Sequence, residues 1–264
     1  MRYALISDIH ANLHALDSVL ADIDARGEGD APVDAIYHLG DLVGYSSHPN
    51  EVVARLRERA IAGIAGNYDS TVATDYKHCG CRSESPRQEE LAHLSYAYTR
   101  RTVTPATKRY LAGLPFSLDL RPLGGHAPGP RLVLVHGTPV LNTVYFTEDR
   151  PDAFCLKMAA AVGLEAGDVL AFGHTHRPWH RAVHGIHFVN TGSVGRPKDG
   201  DWRAGYVLLD LGGGEPRVEH VRVAYDVEAA ADGVVAAGLP EEFAEFLRTG
   251  GVAKIPTVAA GITG

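Results

Sequence analysis

Met1-Arg2-Tyr3-Ala4-Leu5-Ile6-Ser7-Asp8-Ile9-His10-Ala11-Asn12 is the stretch that decides the fold. Residues 2–7 alternate poorly but are mostly apolar, which suits a buried strand. Asn12 has the chemistry of an N-cap for a helix whose Leu13, Leu16, Leu20 and Ile23 form one apolar stripe. Between strand and helix stand Asp8 and His10. In an open α/β sheet that position, outside the carboxyl end of a strand, is where ligands bind.

The same arrangement recurs downstream. Ala35-Ile36-Tyr37-His38-Leu39 reads as a strand ending at Gly40-Asp41, and Pro49 opens a helix that buries Val52, Val53 and Leu56. Proline at a first helical position loses no needed hydrogen bond. A third short strand over 60–65 ends at Gly66-Asn67. This rhythm predicts a parallel sheet with right-handed crossovers. Residues 70–113 interrupt it with a polar loop and two helices, a candidate helical cap over the site. A Gly/Pro-rich turn at 124–130 then leads into Arg131-Leu132-Val133-Leu134-Val135, which ends at His136-Gly137. Residues 168–172 form another strand, ending at Gly173-His174-Thr175-His176. Strands near 182–190, 204–211 and 216–224 are expected to complete a second, more antiparallel sheet, followed by helices near 226–237 and 240–248. The expected organisation is one α/β domain over 1–250 with a loosely held tail over 251–264.

Bulk composition narrows the function classes. The 264 residues are 45% apolar and 22% charged, ordinary for a globular chain, with a formal charge of −7. That charge argues against a stable nucleic-acid complex or adhesion to anionic membrane. An anionic substrate remains compatible, because bound cations reverse the local field. No stretch approaches membrane-span length and the start lacks the pattern of a secretory leader, so a cytoplasmic location is expected. The three cysteines, Cys79, Cys81 and Cys155, are too few for a disulfide framework. Lys77-His78-Cys79-Gly80-Cys81 leaves a tetrahedral metal site incomplete, and a free-thiol loop is the plainer reading.

Asp8, His10, Asp41, Asn67, His136, His174 and His176 together offer carboxylate, amide and imidazole donors enough for two divalent cations. In an extended segment, side chains two residues apart face the same side, so Asp8 and His10 can share an ion and His174 and His176 a centre. Asp41 can bridge with its two oxygens. A donor set without thiolate suits manganese foremost, or iron, zinc, cobalt or nickel, and argues against calcium or a closed structural zinc. Taken singly, an Asp-x-His or His-x-His pair is usually a surface or core feature; their joint order carries the metal reading. The other histidines, His14 and His38 among them, read as solvated or structural. Arg196 and Lys198 follow the last ligand pair and could meet a substrate phosphate.

Asp8-x-His10, Gly40-Asp41, Gly66-Asn67, His136 and Gly173-His174-x-His176 resemble, in order and spacing, the calcineurin-like metallophosphoesterases. Asn190-Thr191-Gly192-Ser193-Val194-Gly195-Arg196-Pro197 and Asp41-Leu42-Val43-Gly44-Tyr45 are similar to the small bacterial phosphodiesterase branch of that family. The resemblance spans about residues 1–210. It implies a four-layer αββα sandwich with two central mixed sheets. It also implies one ion held by Asp8, His10, Asp41 and His176, and a second held by Asp41, Asn67, His136 and His174. A hydroxide bridging the ions would attack phosphorus, with Asn67 helping to stabilise the transition state. One departure stands out. Many members carry a histidine directly after Gly-Asn, thought to protonate the leaving oxygen; here that place is Tyr68, whose phenol is a poor acid near neutrality.

The expected activity is a phosphodiesterase acting on a small or nucleotide-like ester. A dinucleoside polyphosphate hydrolase or a phosphoprotein phosphatase shares the chemistry, and a non-catalytic nucleotide-sensing module would share only the metal cradle. The oligomeric state is not legible in the chain.

Overall fold

The computed structural model describes residues 1–27, 32–80, 85–121 and 129–252. Its first sheet contains β1 (Arg2–Ile6), β2 (Ala35–His38), β3 (Ala62–Gly63), β9 (Ala204–Asp210) and β10 (Arg217–Val223), in the order β10-β9-β1-β2-β3. The second contains β4 (Ser117–Leu120), β5 (Leu132–Val135), β6 (Val169–Phe172), β7 (Trp179–Val183) and β8 (Ile186–Asn190), in the order β4-β5-β6-β8-β7. β1, β2 and β3 run parallel, as do β5, β6 and β8, while β9, β10, β4 and β7 add antiparallel edges.

Period-two alternation sorts the side chains into three apolar layers. Tyr3 and Leu5 of β1 meet Leu132 and Leu134 of β5, Val169 and Ala171 of β6, and Val207 and Leu209 of β9 between the sheets. The opposite faces carry Ala4, Ile6, Tyr206 and Leu208 on the first sheet, and Val133, Val135, Leu170 and Phe172 on the second. These outer faces are covered by helices. α1 (Leu13–Gly27), α2 (Pro49–Glu58), α7 (Val227–Ala236) and α8 (Glu241–Thr249) pack on the first sheet. α6 (Asp152–Ala161) covers the second through Cys155, Met158 and Ala159. The result is the four-layer αββα sandwich, and it explains why the strands read as continuous apolar runs: both of their faces are buried.

α3 (Asn67–Ala73), α4 (Pro86–Thr102) and α5 (Pro105–Ala112) occupy the interruption between β3 and β4. Leu91 and Tyr96 of α4 and Leu111 of α5 join the apolar cluster of α1 and α2.

Several expectations need correction. The run 204–224 does not build the second sheet: β9 pairs antiparallel with β1 in the first. The strand expected near 182–190 is the hairpin β7–β8, turned at His184 and Gly185, both with positive φ. The third strand shrinks from 60–65 to Ala62–Gly63, and an additional short helix, α3, opens at Asn67 ahead of the two helices in 70–113. Cys79 is disulfide-bonded rather than a free thiol, so it offers no thiolate; Cys81 lies outside the described residues. The expected tail is described only at its start, where the Gly251 N–H donates to Phe246 O at 3.0 Å. Among the described residues no helix is long and apolar enough to cross a membrane.

Candidate metal centre

Five parallel strands from two sheets deliver the site. β1 hands over Asp8 and His10, β2 Asp41, β3 Asn67, β5 His136, and β6 His174 and His176. The loop after β8 supports them: Ser193 Oγ donates to Asp8 O at 2.7 Å, Thr191 and Ser7 share a hydroxyl contact at 2.6 Å, and Asn190 Nδ2 donates to Gly173 O at 2.9 Å. The seven candidate ligands are all buried.

Six of them form two groups, Asp8 with His10 and His176, and Asp41 with His136 and His174, each able to hold a metal ion. His174 and His176 therefore divide between the groups. Asp8, His10, His174 and His176 are not extended either; their φ values of 51°, 48°, 66° and 60° lie in the left-handed region. The two-residue spacing works through tight turns rather than through strand alternation.

Six of the seven side chains are turned inward by a hydrogen bond at their other polar atom. His10 Nδ1 donates to Val43 O at 3.1 Å, His136 Nδ1 to Leu39 O at 2.8 Å, and His176 Nδ1 to Arg196 O at 2.6 Å. That fixes the tautomer and leaves Nε2 carrying a lone pair in the neutral ring. Asp8 Oδ2 accepts from Ser7 Oγ at 2.7 Å and His174 N at 2.9 Å. Asp41 Oδ1 accepts from Tyr68 N at 2.9 Å, which leaves Oδ2 facing both groups, 3.7 Å from His10 Nε2 and 3.5 Å from His136 Nε2. One oxygen of Asp41, not two, thus stands between them. Asn67 Nδ2 donates to Cys79 O at 3.1 Å, pointing Oδ1 at His136 Nε2, 3.1 Å away.

The donors fit cations better than they fit one another. His10 Nε2 and His176 Nε2 face each other at 3.2 Å with both Nδ1 atoms already committed. Among the described residues, Asp8 Oδ1 and His174 Nε2 are buried without a hydrogen-bond partner, although His176 Nε2 comes within 3.3 Å of the former. Lone pairs converging in a buried space without protons between them are what a divalent cation relieves. Electrostatics agree. Burial, then His176, lowers the His10 pKa to about 3. Burial, then His136, does the same to His174, also to about 3. His136 goes the other way: burial opposes its charge, but Asp41 outweighs burial and raises it to about 10. Burial likewise opposes the Asp8 and Asp41 charges, yet the facing imidazoles hold both carboxyls below the usual range.

Three residues around the centre were not singled out by sequence reasoning. Asp69 is fully buried; its oxygens accept from Leu42 N and Gly66 N, each at 2.9 Å, tying the Asp41 loop to the Asn67 loop. Burial, then Asp41, raises its pKa to about 7. The signal was present as an acidic residue in the first turn of α3. Tyr145 stacks on His174 with ring centroids 4.4 Å apart. Ser95 of α4 accepts from Tyr45 N at 2.8 Å and meets the Tyr68 hydroxyl at 3.3 Å. Tyr68 itself is fully buried, packed against His10, Tyr45 and Tyr96. Burial, then Tyr45, raises its phenol well above the ordinary value. Arg196 lies over the Tyr45 ring, and the Lys198 charge acts on His176.

Residues 1–214 match the family model of the calcineurin-like phosphoesterase superfamily domain. An uncharacterized protein of Methanocaldococcus jannaschii is 29% identical over 269 residues, covering 94% of this chain and 97% of that one. A solved metallophosphoesterase from Sphaerobacter thermophilus superposes with a TM-score of 0.69 at 26% identity, covering 95% of this chain and 99% of that one. A hypothetical protein from Pyrococcus horikoshii OT3 reaches a TM-score of 0.80 at 25% identity, covering 96% and 99%.

Proposed function

From the premise that this chain belongs to the calcineurin-like phosphoesterase superfamily, we propose that it is a phosphodiesterase using two divalent cations on a small or nucleotide-like phosphate ester. The observation that supports two ions is the place of Asp41 Oδ2, which faces an imidazole of each group. In this reading Asp8, His10, Asp41 and His176 hold one cation, and Asp41, Asn67, His136 and His174 hold the other. When bound, the cations supply Lewis acidity and a water of lowered pKa. Manganese is the proposed ion, since the donors are oxygens and imidazoles without thiolate.

The chain's own residues set the rest. Asn67, whose Nδ2 donates one N–H to Cys79 O, would give Oδ1 to the ion and its remaining amide N–H to the reacting phosphate. Lys198 and Arg196 bring positive charge to the rim of an acidic protein. The 70–113 insertion acts as the cap, because Ser95 holds both Tyr45 and Tyr68 in place. With its hydroxyl buried against Ser95, Tyr68 is no proton donor to a leaving oxygen. Esters whose leaving group departs as an anion are therefore favoured, and phosphodiesters over alkyl monoesters.

Hydrolysis of an aryl phosphodiester and an aryl phosphomonoester, side by side with manganese, tests the proposal. Wild type should turn over the diester faster. Asp41→Asn should remove both activities while leaving the circular-dichroism spectrum unchanged. A preference for the monoester, or an Asp41→Asn chain as active as wild type, would overturn it.

A further inference from the structure

We propose that Arg196 is a catalytic residue of this centre, offering guanidinium N–H groups to the negative charge on the departing oxygen where a proton donor is missing. This rests on the phosphoester reading above and assigns the leaving-group side of the same site.

The backbone of Arg196 is pinned on both sides. Its N–H donates to Ser193 Oγ at 2.8 Å, and its carbonyl accepts from His176 Nδ1 at 2.6 Å. The side chain therefore starts one residue-length from a candidate ligand. It is half-buried and seated by aromatic rings, with Cζ 3.9 Å from the Tyr45 centroid and 5.3 Å from that of Phe246 on α8. Tyr45 in turn lies edge-on to His10, 4.9 Å between centroids, and 5.1 Å from Tyr68. The guanidinium thus stands one aromatic ring away from both the first ligand group and the position after Gly66-Asn67. Its charge acts on His10, His176 and Tyr68 alike.

Two further facts point to an anionic ligand. Among the described residues no carboxylate pairs with Arg196, whereas Arg131, Arg181 and Arg222 each have one. A stacked, partly desolvated guanidinium keeps its fork of donors fixed for an oxyanion. One wall of the seat, Phe246, comes from α8, beyond the residues matched by the family model. Tyr45 and Arg196 themselves lie within the matched residues, so α8 contributes the outer wall of the seat through Phe246 alone.

The chemistry balances without a general acid. Water contributes its oxygen to phosphorus, the P–O bond to the leaving group breaks, and the bonding pair departs on that oxygen. The guanidinium stabilises this charge by hydrogen bonding without giving up a proton, and the proton lost by water passes to solvent.

The test is a series of methyl aryl phosphodiesters of increasing leaving-group pKa, assayed with manganese on wild type, Arg196→Gln, Arg196→Lys and Arg196→Ala. The loss in kcat/KM for Arg196→Gln should grow along the series, reaching on the order of 10²–10³-fold for the poorest leaving group. Arg196→Lys should fall between, and added guanidinium chloride should restore part of the activity of Arg196→Ala. A loss of equal size for every ester, which a role in merely seating Tyr45 would give, overturns the proposal, as does no loss at all. Wild type inert toward the whole series would instead overturn the phosphoester reading, and this proposal with it.

Discussion

Five of the seven proposed ligands, Asp8, His10, Asp41, His174 and His176, carry positive φ, which costs a residue with a side chain roughly 1–3 kcal/mol. Such strain persists only where surrounding contacts over-determine the backbone. Here those contacts are named: the Asp8 N–H donates to Gly40 O at 3.0 Å, and the His10 N–H to Asp41 O at 2.9 Å. Gly66 shows how little slack remains, since a Cβ there would overlap Asp41 Oδ1 and N. Its φ of −80° is ordinary, so the demand is for space alone. Gly66→Ala should therefore push the Asp41 and Asn67 loops apart, costing about 1–3 kcal/mol of stability. It should also abolish manganese-dependent ester hydrolysis. A thermal melt and an activity assay on one preparation check both, and a variant with wild-type activity would refute the crowding argument. At this scale the sequence displayed all seven side chains but misread two of their relations. The pairing of residues two apart was attributed to extended backbone, and Asp41 was expected to use both oxygens. Neither the left-handed turns nor the Tyr68 N–H on Oδ1 can be seen without the fold.

Elements carry the site because their ends are tied to each other, and Asn12 is the clearest tie. Its Oδ1 accepts from Ala15 N at 3.1 Å, capping α1. Its Nδ2 donates to Gly195 O at 3.1 Å and to the Tyr225 hydroxyl at 3.3 Å, joining that helix start to the loop after β8. Asn12→Ala should lose both functions, about 1–3 kcal/mol in chemical denaturation. Asn12→Asp keeps the cap but sets an acceptor against Gly195 O, so it should also melt below wild type; equal melting would remove the tie from the account. The strands that were legible, β1, β2, β5 and β6, are apolar runs that stop at a polar turn. The rest failed for physical reasons. β4 is a four-residue edge strand with every other side chain exposed. The β7–β8 turn uses His184-Gly185 where Asn-Gly would announce a hairpin. β9 sits beside β1 in space at a separation of about 200 residues in sequence, and local periodicity carries no information about such a partner.

On the scale of the whole molecule, the candidate centre lies on the seam between two sheets whose shared core is apolar. Its ligands come from β1, β2 and β3 on one side and from β5 and β6 on the other, so the proposed cations should clasp the halves together. Binding the folded chain alone, they stabilise it by an amount that grows with the logarithm of concentration over Kd, about 2.7 kcal/mol at a hundredfold excess. The sign of the pH dependence follows from His136. Burial opposes its charge but Asp41 outweighs burial, so the metal-free ring has a pKa of about 10 and holds a proton throughout the neutral range. An ion must displace that proton, because only the neutral imidazole ligates. His10 and His174, lowered to about 3 chiefly by burial, are already neutral there and release none. Affinity should therefore rise about tenfold per pH unit from pH 6 toward pH 10. The difference in unfolding free energy between manganese-loaded and chelated protein should grow by about 2–3 kcal/mol from pH 6 to pH 8. Calorimetric titration at pH 7 in two buffers of different ionisation enthalpy should show about one proton released at this group. A gap between loaded and chelated protein that narrows as pH rises, or proton uptake on binding, would mean that His136 does not meet the ion.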